Sequence, residues 1–479
     1  MLLRSQTRLR RALETATRYD EWLAAATELD RATGGADWRA DDTSRHYDAV
    51  ALRSSLSQLE ALRRAGNPMQ LAAHLHDSLH RHLNEVTDPG LYGTSLIGTK
   101  GLVERYLDAV CSALDHLCDG DIPVPLEQRL ALFEREAHAV GRSALLLSGG
   151  ASLGLFHIGV IRALHGAGLL PSVVSGASTG SMIAGGLCTR TEAELAEVIA
   201  APEEHVYTRV FRRLSTDQMR SEQAVMSQEQ LLTAIRSNMN DLTFAEAFAR
   251  TGRTLCIAVS PIRARQKPRL LCTLTSPDVL VTSASRASCA IPGLFPPSTL
   301  MQRKGGQETE YVPGERWIDG TIASDLPTER LARLLNVNHT IVSQTNAHLI
   351  PFTDARARSG VLPTVTDFLA TSAFTQAVQM LDVARRRATH AGLKRALEWT
   401  HGAARQSFTG NITLHPPVTA WNYGIILRNA SPEALRRLVH QGEQATWPKL
   451  HVIAAQTRVS RTLEACVTRL RQRVRPVAS

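Results

Sequence analysis

Two glycine-rich turns, each preceded by a short apolar run and followed by a helical pattern, constrain the fold of this chain more than any other feature. The first apolar run, Ala144–Leu147, leads into the turn Gly149–Gly154. The second run, Val173–Val174, leads into the turn Gly176–Gly180. Two strand–turn–helix units in tandem are typical of parallel sheets. We therefore expect an α/β fold with both turns at the carboxyl edge of one sheet, where α/β proteins bind ligands.

The second turn has the G-x-S-x-G pattern of a nucleophile elbow, with Ser178 between Gly176 and Gly180. A nucleophile on a tight strand-to-helix turn needs very small neighbours two residues away on each side, which the two glycines provide. The helix that begins near Thr179 points its backbone N–H groups and the positive end of its dipole at the serine, which favours a developing oxyanion. Alone, the pattern also fits an ordinary tight turn. Its position after a similar unit favours a serine nucleophile.

The first turn, GGASLG, also leaves backbone N–H groups free at the start of a helix, and such groups bind anions. A phosphate loop would need a G-K-S or G-K-T sequence after the glycines. A dinucleotide turn would need the pattern G-x-G-x-x-G. Neither pattern is present. The sequence therefore predicts no nucleotide site, and we expect no organic cofactor.

A serine nucleophile needs a base. Asp319 is one candidate, because it ends a short apolar strand, is followed by Gly320 and would emerge at a carboxyl edge as Ser178 does. A carboxylate accepts the serine proton directly in a site dry enough to raise its basicity. The alternatives are that Asp-Gly is only a turn, or that a downstream histidine is the base of a Ser-His-Asp hydrolase. These histidines, none of which follows a clear strand with a preceding acid, are His339, His348, His390, His401 and His415.

Composition narrows the class of protein. The 479 residues are 43% hydrophobic and 21% charged, which suits a globular chain with a large core. No apolar run reaches the ~18 residues that a membrane-spanning helix needs, and the basic N-terminus lacks the apolar region and cleavage site of a signal peptide. Seven cysteines without a C-x-x-C pair predict buried thiols in a reducing compartment, so we expect a cytoplasmic protein.

The net charge of +9 suits contact with an anionic membrane surface or with nucleic acid, but an arginine-rich composition without such a partner explains it equally well. Nucleic acid is not an expected partner, since the basic residues are spread out rather than interleaved with aromatic ones. Near the C-terminus, a helical pattern carries six arginines that either contact lipid phosphates or keep the helix solvated. They are Arg458, Arg461, Arg469, Arg471, Arg473 and Arg475.

The periodicity of the sequence divides the chain into three parts. Residues 1–140 are predicted to be helical, residues 141–350 to form the α/β core, and residues 351–479 to be mostly helical. In the first part, His76 and His80 have the i,i+4 spacing of metal ligands. No HExxH motif is present and no acidic third ligand is evident, so a polar helix face is the favoured interpretation and we expect no metal.

Three further segments carry predictions of their own. Val206–Leu214 is basic and amphipathic, which indicates a lid, a membrane-contacting helix or a solvated helix face. Gln302–Glu310 is interpreted as a polar loop. Ile412–Pro417 is interpreted as an edge strand.

Three motifs, in this order, resemble the signature of the patatin-like phospholipases: Gly149–Gly154, Gly176–Gly180 and Asp319–Thr321. Those enzymes are lipid acyl hydrolases with a Ser–Asp dyad, no catalytic histidine and a three-layer α/β/α core with a mainly parallel sheet. The resemblance implies Ser178 as nucleophile and Asp319 as base. It also implies that the first turn forms the oxyanion hole, through Gly149, Gly150, Ala151, Ser152 and Gly154.

More of the chain is similar to one branch of that family, the intracellular triacylglycerol lipases of fungi and plants. The similarity includes Asp37–Arg39 in the helical part, Ala287–Phe295 in the core and Gly442–Pro448 near the C-terminus. The third motif reads D-G-T where many relatives have D-G-G or D-G-A, which adds the side chain of Thr321 near the base. The chain is also shorter than the fungal members.

We therefore expect a serine acyl hydrolase that cleaves fatty-acyl esters of glycerolipids, triacylglycerol or phospholipid, through a Ser178–Asp319 dyad and an acyl-enzyme. A Ser-His-Asp hydrolase or acyltransferase, and a catalytically inactive lipid-binding protein, are the alternatives. The expected partner is the lipid substrate, reached by peripheral contact with a membrane or lipid-droplet surface. Candidates for the acyl pocket, which core packing explains equally well, are Leu155, Phe156, Ile291, Leu294 and Phe295.

Overall fold

A computed structural model describes residues 2–81, 86, 88–263, 266–320, 326–346, 350 and 409–474. Within these residues the chain forms two compact units. The helical unit comprises the described residues of Met1–Ser143, Leu335–His339 and Trp447–Ser479, and the sheet unit those of Ala144–Leu334 and Thr340–Thr446. The division into 1–140, 141–350 and 351–479 stays a prediction, because residues 351–408 lie outside the described part of the chain.

Helices dominate the described elements. In chain order they are α1 (Leu2–Thr15), α2 (Tyr19–Thr33), α3 (Gly35–Ala40), α4 (Ala49–Ala65), α5 (Pro68–Arg81), α6 (Gly101–Asp119), α7 (Leu126–Val140), α8 (Phe156–Gly166), α9 (Thr179–Thr189), α10 (Glu192–Ala200), α11 (Pro202–His205), α12 (Thr216–Glu222), α13 (Gln228–Asn238), α14 (Phe244–Thr251), α15 (Val281–Ser288), α16 (Thr328–Leu335), α17 (Ala420–Gly424), α18 (Pro432–Thr446) and α19 (Leu450–Val474). Short 3-10 helices span Pro89–Leu91, Ala151–Leu155 and Trp447–Lys449. None of the described helices combines the length and apolar character needed to cross a membrane.

Polar caps and glycines set the ends of several helices, as α4 illustrates. The side chain of Asp48 accepts hydrogen bonds from the N–H groups of Val50 and Ala51, which would otherwise lack partners in the first turn. Gly66 ends the helix with φ +66°, a left-handed conformation that glycine adopts at little cost. The helical prediction for the first 140 residues is thus confirmed in the described part, and local sequence explains where such helices stop.

The sheet unit is built on one sheet of seven described strands and a separate hairpin. The strands are β1 (Arg142–Leu147), β2 (Val173–Gly176), β3 (Thr254–Pro261), β4 (Arg269–Cys272), β5 (Met301–Lys304), β6 (Gln307–Glu310), β7 (Trp317–Asp319), β8 (Val337–Ser343) and β9 (Ile412–Leu414). The sheet has the order β4-β3-β2-β1-β8-β9, and β7 pairs with β3. The β1–β2, β2–β3 and β8–β9 pairs are parallel, whereas β4 and β7 run antiparallel to β3. The predicted α/β class and the edge position of Ile412–Leu414 are confirmed.

Two glycines allow α18 to lie against α8, the helix that follows the first turn. A Cβ at Gly159 would overlap the carbonyl oxygen of Val439, and one at Gly442 would overlap that of Phe156. Only residues without a side chain permit this approach. A buried apolar cluster that includes Leu153, Ile158 and Leu438 surrounds the contact. The packing of α18 therefore fixes the helix on which the first turn is built.

The segment predicted as a polar loop, Gln302–Glu310, forms most of a β-hairpin instead. β5 and β6 pair antiparallel and are joined by Gly305 and Gly306, with φ +56° and +80°. Two consecutive left-handed residues match the tight hairpin turns whose twist suits the flanking strands. The loop prediction was wrong because it depended on the polar character of the segment, and an exposed hairpin lacks the buried apolar residues that mark a strand.

The arginine-rich C-terminal helix, α19, forms ion pairs within the helical unit. Arg469 lies 2.7 Å from Asp115 and 3.0 Å from Asp119, and Arg471 lies 2.8 Å from Glu134. Exposed pairs of this kind contribute about 0–1 kcal/mol each. Solvated, ion-paired arginines are therefore the better interpretation of the described part of this helix than dedicated lipid contacts.

Candidate active site

The second glycine turn has the backbone geometry of a nucleophile elbow. β2 ends at Gly176, α9 begins at Thr179, and Ser178 between them has φ +50° and ψ −127°. This conformation is strained for a residue with a side chain, and such strain is concentrated at functional sites. A Cβ at Gly176 would overlap the carbonyl oxygen of Gly180, so the turn requires glycine there. Ser178 itself is 5% exposed.

Asp319 lies at the end of β7 and is completely buried. In the sheet it stands opposite Val259 of β3. Its backbone N–H donates to the carbonyl oxygen of Ala290 at 3.1 Å. A Cβ at Gly320 would overlap the carbonyl oxygen of Ala258, so glycine is needed for the chain to turn this close to β3. The Asp-Gly pair is therefore a buried strand end rather than an exposed turn.

Three consecutive residues, Ser288, Cys289 and Ala290, contact both parts of the predicted dyad. The Ser288 hydroxyl accepts a hydrogen bond from the N–H of Ser178 at 3.0 Å and donates one to the Ala258 carbonyl at 2.8 Å. Ala290 accepts the hydrogen bond from Asp319. The structure thus brings Ser178 and Asp319 together against one short segment at the end of α15.

The thiol of Cys289 interacts with both Ser178 and Asp319. Burial raises the pKa of this thiol, and the Asp319 carboxylate raises it further. Hydrogen bonds with the side chains of Ser181 and Ser178 act in the opposite direction. In the sequence, Cys289 belongs to the segment that resembles the triacylglycerol lipase branch, but nothing there predicted that it lies beside Ser178 or Asp319. Its place beside both Ser178 and Asp319 follows from tertiary packing.

The first turn lies against the elbow. A Cβ at Gly154 would lie 2.7 Å from the Cγ2 atom of Thr179, and one at Gly150 would overlap the hydroxyl of Thr345, so both positions require glycine. Of the predicted oxyanion residues, Ser152 already uses its donors. Its N–H donates a hydrogen bond to the Ile426 carbonyl oxygen at 3.0 Å, and its hydroxyl donates one to the Arg428 carbonyl oxygen at 2.6 Å.

The N–H groups of Gly150 and Ala151 differ from that of Ser152. Within the described part of the chain, neither is recorded with a hydrogen-bond acceptor. Ala151 has φ +50°, a second strained position in the site. Gly149 contributes its carbonyl oxygen, which accepts a hydrogen bond from the Thr345 hydroxyl at 3.0 Å. Gly150 and Ala151 are therefore the residues of this turn best suited to bind an anion.

A buried polar network holds the first turn in place, and sequence reasoning missed it. His157 Nδ1 lies 2.7 Å from the Ser343 hydroxyl, and its Nε2 lies 3.0 Å from the Ser148 carbonyl and 3.2 Å from the Thr345 hydroxyl. The Ser148 hydroxyl in turn accepts from the N–H of Thr345 at 2.7 Å. The one signal in the sequence for such a network was His157 itself, a polar residue among the apolar residues of a predicted helix. Its partners lie 186 and 188 residues away along the chain.

This network predicts a pH dependence of stability. Burial lowers the pKa of His157 to about 4, whereas an unfolded histidine titrates near 6.5. Between those values the unfolded state binds the proton and the folded state does not, so stability falls as the pH is lowered from 6.5 towards 4. We expect His157 to account for a loss of about 2 kcal/mol by pH 5 and about 3 kcal/mol by pH 4.

Denaturant unfolding of the wild type and of His157→Gln between pH 7.5 and pH 4.5 tests this dependence. The variant is expected to be less stable at pH 7.5, because the substitution disturbs three buried contacts, but to lose less stability on acidification. The change in the free energy of unfolding with pH reports the titration of His157, whereas the difference between the two proteins at pH 7.5 reports the lost contacts. Equal acid slopes in the two proteins would contradict the assignment.

Where the structure describes them, the histidines predicted as alternative bases have hydrogen-bond partners other than Ser178. His339 Nε2 lies 3.0 Å from the side-chain oxygen of Gln456, and His415 Nδ1 lies 3.1 Å from the Pro416 carbonyl. His157, which was not a predicted base, uses both ring nitrogens in the network above. Among the described residues, no histidine is recorded in a hydrogen bond with Ser178. The remaining predicted candidates, His348, His390 and His401, lie outside those residues.

An apolar cavity opens beside the two turns. Its empty volume is about 430 Å³, and Ala151 and Thr179 line it together with Leu155. A second cavity of about 430 Å³ shares Met182 and Ile183 with the first and continues along α9. Both volumes include space that is open to solvent.

Only part of the predicted acyl pocket coincides with these cavities. Leu155 lines the first, whereas Phe156, Ile291 and Leu294 line neither. Phe295 stacks behind the lining residue Phe211, with ring centroids 6.4 Å apart. The prediction assigned residues near the motifs in sequence, but cavity walls are set by which elements meet in space.

Val206–Leu214 is not helical, which corrects the helix that its amphipathic pattern indicated. Five residues of this segment line the first cavity: Val206, Tyr207, Thr208, Val210 and Phe211. Side-chain amides replace helical hydrogen bonds, since Asn238 exchanges two with the backbone of Tyr207, at 2.9 and 2.8 Å, and Asn429 accepts from the N–H of Phe211 at 2.8 Å. The segment is a cavity wall held by distant polar residues.

All seven cysteines are buried and none forms a disulfide. This confirms the prediction of buried thiols. Since each thiol is packed away from solvent, none of the seven offers an exposed reactive group.

Comparison with known proteins is consistent with this site. Two family models match the chain, a domain of unknown function (DUF3336) over residues 2–138 and patatin-like phospholipase over residues 145–332. The second match contains both glycine turns and Asp319. The predicted family resemblance is thus confirmed.

Curated relatives extend the similarity to most of the chain. Triacylglycerol lipase 4 of Saccharomyces cerevisiae is 31% identical over 91% of this chain and 50% of its own length, and triacylglycerol lipase SDP1L of Arabidopsis thaliana is 33% identical over 96% and 58%. The chain therefore spans only about half of these two proteins. Triacylglycerol lipase ptl2 of Schizosaccharomyces pombe is 32% identical over 95% of this chain and 75% of its own length. With this extent of similarity, and with the predicted site inside the matched domain, the chain belongs to the patatin-like phospholipase family.

Proposed function

We propose that this protein hydrolyses fatty-acyl esters of glycerolipids, with triacylglycerol as its first substrate, through Ser178 as nucleophile and Asp319 as base. One observation carries the proposal. The segment Ser288–Ala290 contacts a strained elbow serine on one side and a fully buried aspartate on the other. Thr179, which follows that serine, lines an apolar cavity. The triacylglycerol lipases among the relatives support the substrate class.

The reaction follows from the chemistry of these groups. Ser178 Oγ attacks the ester carbonyl carbon while Asp319 takes the hydroxyl proton. The tetrahedral intermediate collapses, Asp319 returns the proton to the leaving alcohol, and an acyl-enzyme remains. Water then attacks the acyl carbonyl, giving its proton to Asp319. The second intermediate releases the fatty acid as the proton returns to Ser178.

The oxyanion of both intermediates is proposed to bind the N–H groups of Gly150 and Ala151. Preorganised donors in a site closed to water stabilise developing charge strongly, and loss of one such donor typically costs about 10²–10³-fold in kcat. The network of His157, Thr345 and Ser148 supports this role, because it fixes the turn before substrate binds. His157 acts here as a positioning residue and does not touch the reacting atoms.

The two adjoining cavities are proposed to hold the acyl chain of the ester. Their shared lining includes Met182 and Ile183 on α9, the helix that begins directly after Ser178. Arg190 lines the second cavity only, and its side chain donates hydrogen bonds to the backbone carbonyl oxygens of Gly186 and Asn238. An extended apolar chain therefore has a continuous lining from the elbow to a polar end.

Narrowing the junction between the cavities should change chain-length preference. Ile183→Trp places a larger side chain there and is expected to lower kcat/KM for oleoyl esters by about 10–100-fold, equivalent to about 1–3 kcal/mol of overpacking. Butyryl esters should be cleaved at close to the wild-type rate, because they do not reach the junction. Initial rates on a series of esters measure the effect, with Ile183→Val as the conservative control. An equal loss at every chain length would contradict the proposed path.

The proposed function is tested with the purified full chain. We expect release of fatty acids from triacylglycerol emulsions, and covalent labelling by a fluorophosphonate probe on the peptide that contains Ser178. Phosphatidylcholine vesicles in parallel compare the two lipid classes. A chain that is neither labelled nor active on any glycerolipid ester would overturn the proposal in favour of a lipid-binding protein without activity.

A further inference from the structure

A cluster of two histidines and a glutamate lies in the helical unit, outside the proposed hydrolase site. His76 and His80 are one turn apart on α5, and Glu136 comes from α7. His76 Nδ1 lies 2.9 Å from Glu136 Oε1, and His80 Nε2 lies 3.7 Å from Glu136 Oε2. One ligand atom from each residue lies within 4.8 Å of the other two.

The glutamate is the unusual member of this cluster. Its side chain is only 6% exposed, and its Oε2 atom has no hydrogen-bond partner among the described residues. Its other oxygen contacts His76 and lies 3.5 Å from the Nε atom of Arg135. A buried carboxylate oxygen without a hydrogen bond is costly, and buried charges are normally paired or bound to metals. The Oε2 atom therefore points to a cation that completes the site.

The distances suit a small tetrahedral ion. With metal–ligand bonds of about 2.0–2.2 Å, neighbouring ligand atoms of a tetrahedral site are about 3.3–3.6 Å apart. The separations of 2.9 Å, to Oε1 of Glu136, and 3.7 Å, to its Oε2, lie on either side of that range. Because they involve different oxygens, binding through one oxygen requires a small shift of the carboxylate or of an imidazole. The imidazole rings are tilted by 65° with centroids 4.6 Å apart, so they do not stack face to face.

We propose that His76, His80 and Glu136 bind one Zn²⁺ ion, through Nδ1, Nε2 and a carboxylate oxygen respectively. The set of two histidines and one glutamate suits zinc, and three protein ligands leave a position for water. The His76 and His80 side chains are about half exposed, at 51% and 47%, so the ion would be accessible from solvent. Such an ion ties α5 to α7 and stabilises the helical unit.

This proposal revises the interpretation of α5 as a plain polar face. The sequence offered no third ligand because Glu136 is 60 residues away from His76. Only the packing of α7 against α5 places its carboxylate beside both imidazoles. The site is independent of Ser178 and requires no change in the proposed hydrolysis.

The test is zinc titration of the full chain, expressed without a polyhistidine tag and freed of metal by a chelator. We expect one zinc per chain, a melting temperature that rises with zinc concentration, and a visible spectrum of four-coordinate cobalt when Co²⁺ replaces zinc. His76→Gln and His80→Gln should each weaken zinc binding by at least about tenfold. Glu136→Gln should do the same, while its thermal unfolding without metal shows whether the fold is kept.

His138→Gln is the matched control, because His138 is an exposed histidine on the same helix as Glu136. It should keep the wild-type zinc affinity and stoichiometry. The proposal is overturned if the wild type takes up no zinc at micromolar concentrations, or if zinc binds equally well to all three ligand variants. The His76 and His80 side chains are half exposed, so their substitution should not prevent folding. The two histidine variants therefore still test the proposal if Glu136→Gln fails to fold.

Discussion

Ser178→Ala is expected to reduce kcat for glycerolipid ester hydrolysis on the order of 10⁶-fold, and Asp319→Asn to reduce it about 10²–10⁴-fold. The first change removes the nucleophile. The second keeps the shape of the side chain but replaces the carboxylate that accepts the serine proton with an amide that cannot. Because Asp319 is fully buried, no water molecule from bulk solvent readily takes its place. Single-turnover kinetics on a triacylglycerol analogue measure both losses.

Two control variants and a set of histidine variants distinguish the Ser178–Asp319 dyad from a histidine-dependent hydrolase. Ser221→Ala and Asp217→Asn change exposed residues of the sheet unit and should leave kcat at the wild-type value. In a histidine-dependent hydrolase, Asp319→Asn would keep a large part of the activity, and replacing one of His348, His390 or His401 with Ala would remove it. The proposed dyad requires the opposite pattern. An Asp319→Asn enzyme with more than about a tenth of wild-type kcat would exclude Asp319 as the base.

Gly180→Ala is expected to inactivate the enzyme without touching either proposed catalytic side chain. A Cβ at this position would overlap the Leu147 carbonyl oxygen and lie 2.6 Å from that of Ser148. Both are backbone atoms at the entrance to the first turn, so relief requires the elbow and the proposed oxyanion turn to move apart. Overpacking of this kind costs about 1–3 kcal/mol of stability, and a displacement near 1 Å at a reacting centre costs about 10²-fold in rate.

Gly166→Ala is the matched control for this prediction. Gly166 is the last residue of α8, and no atom lies within 4 Å of a Cβ built there. It should leave kcat and the free energy of unfolding close to wild type. Fatty-acid release and denaturant unfolding of both variants check the pair. If Gly180→Ala retained wild-type kcat, close packing of the two turns would not be needed for activity.

Local features of the site could be predicted from sequence because local backbone geometry dictates them. A nucleophile on a tight strand-to-helix turn needs glycines two residues away, so Gly176, Ser178 and Gly180 together predicted the elbow. Asp319 was readable because a short apolar strand precedes it and a glycine follows. Neither inference depended on knowing which other elements pack nearby.

The partners of these residues could not be predicted in the same way. The N–H of Ser178 donates to Ser288, 110 residues away, and His157 meets Ser343 across 186 residues. No periodicity links such pairs, because the contact depends on the order of strands in the sheet. The same limit explains why Val206–Leu214 was expected to be a helix. Its pattern was amphipathic, but its hydrogen bonds go to Asn238 and Asn429.

The sequence by itself determined the α/β class, the elbow at Ser178, the strand end at Asp319 and the family, since each is encoded in short stretches of turn residues and apolar runs. Tertiary structure alone decided which N–H groups of the first turn stay available, which residues line the cavities, and that Glu136 joins His76 and His80. Burial creates these differences. A polar group must find its partner among whatever elements the packed core brings within hydrogen-bond distance, and that set is fixed only when the chain is folded.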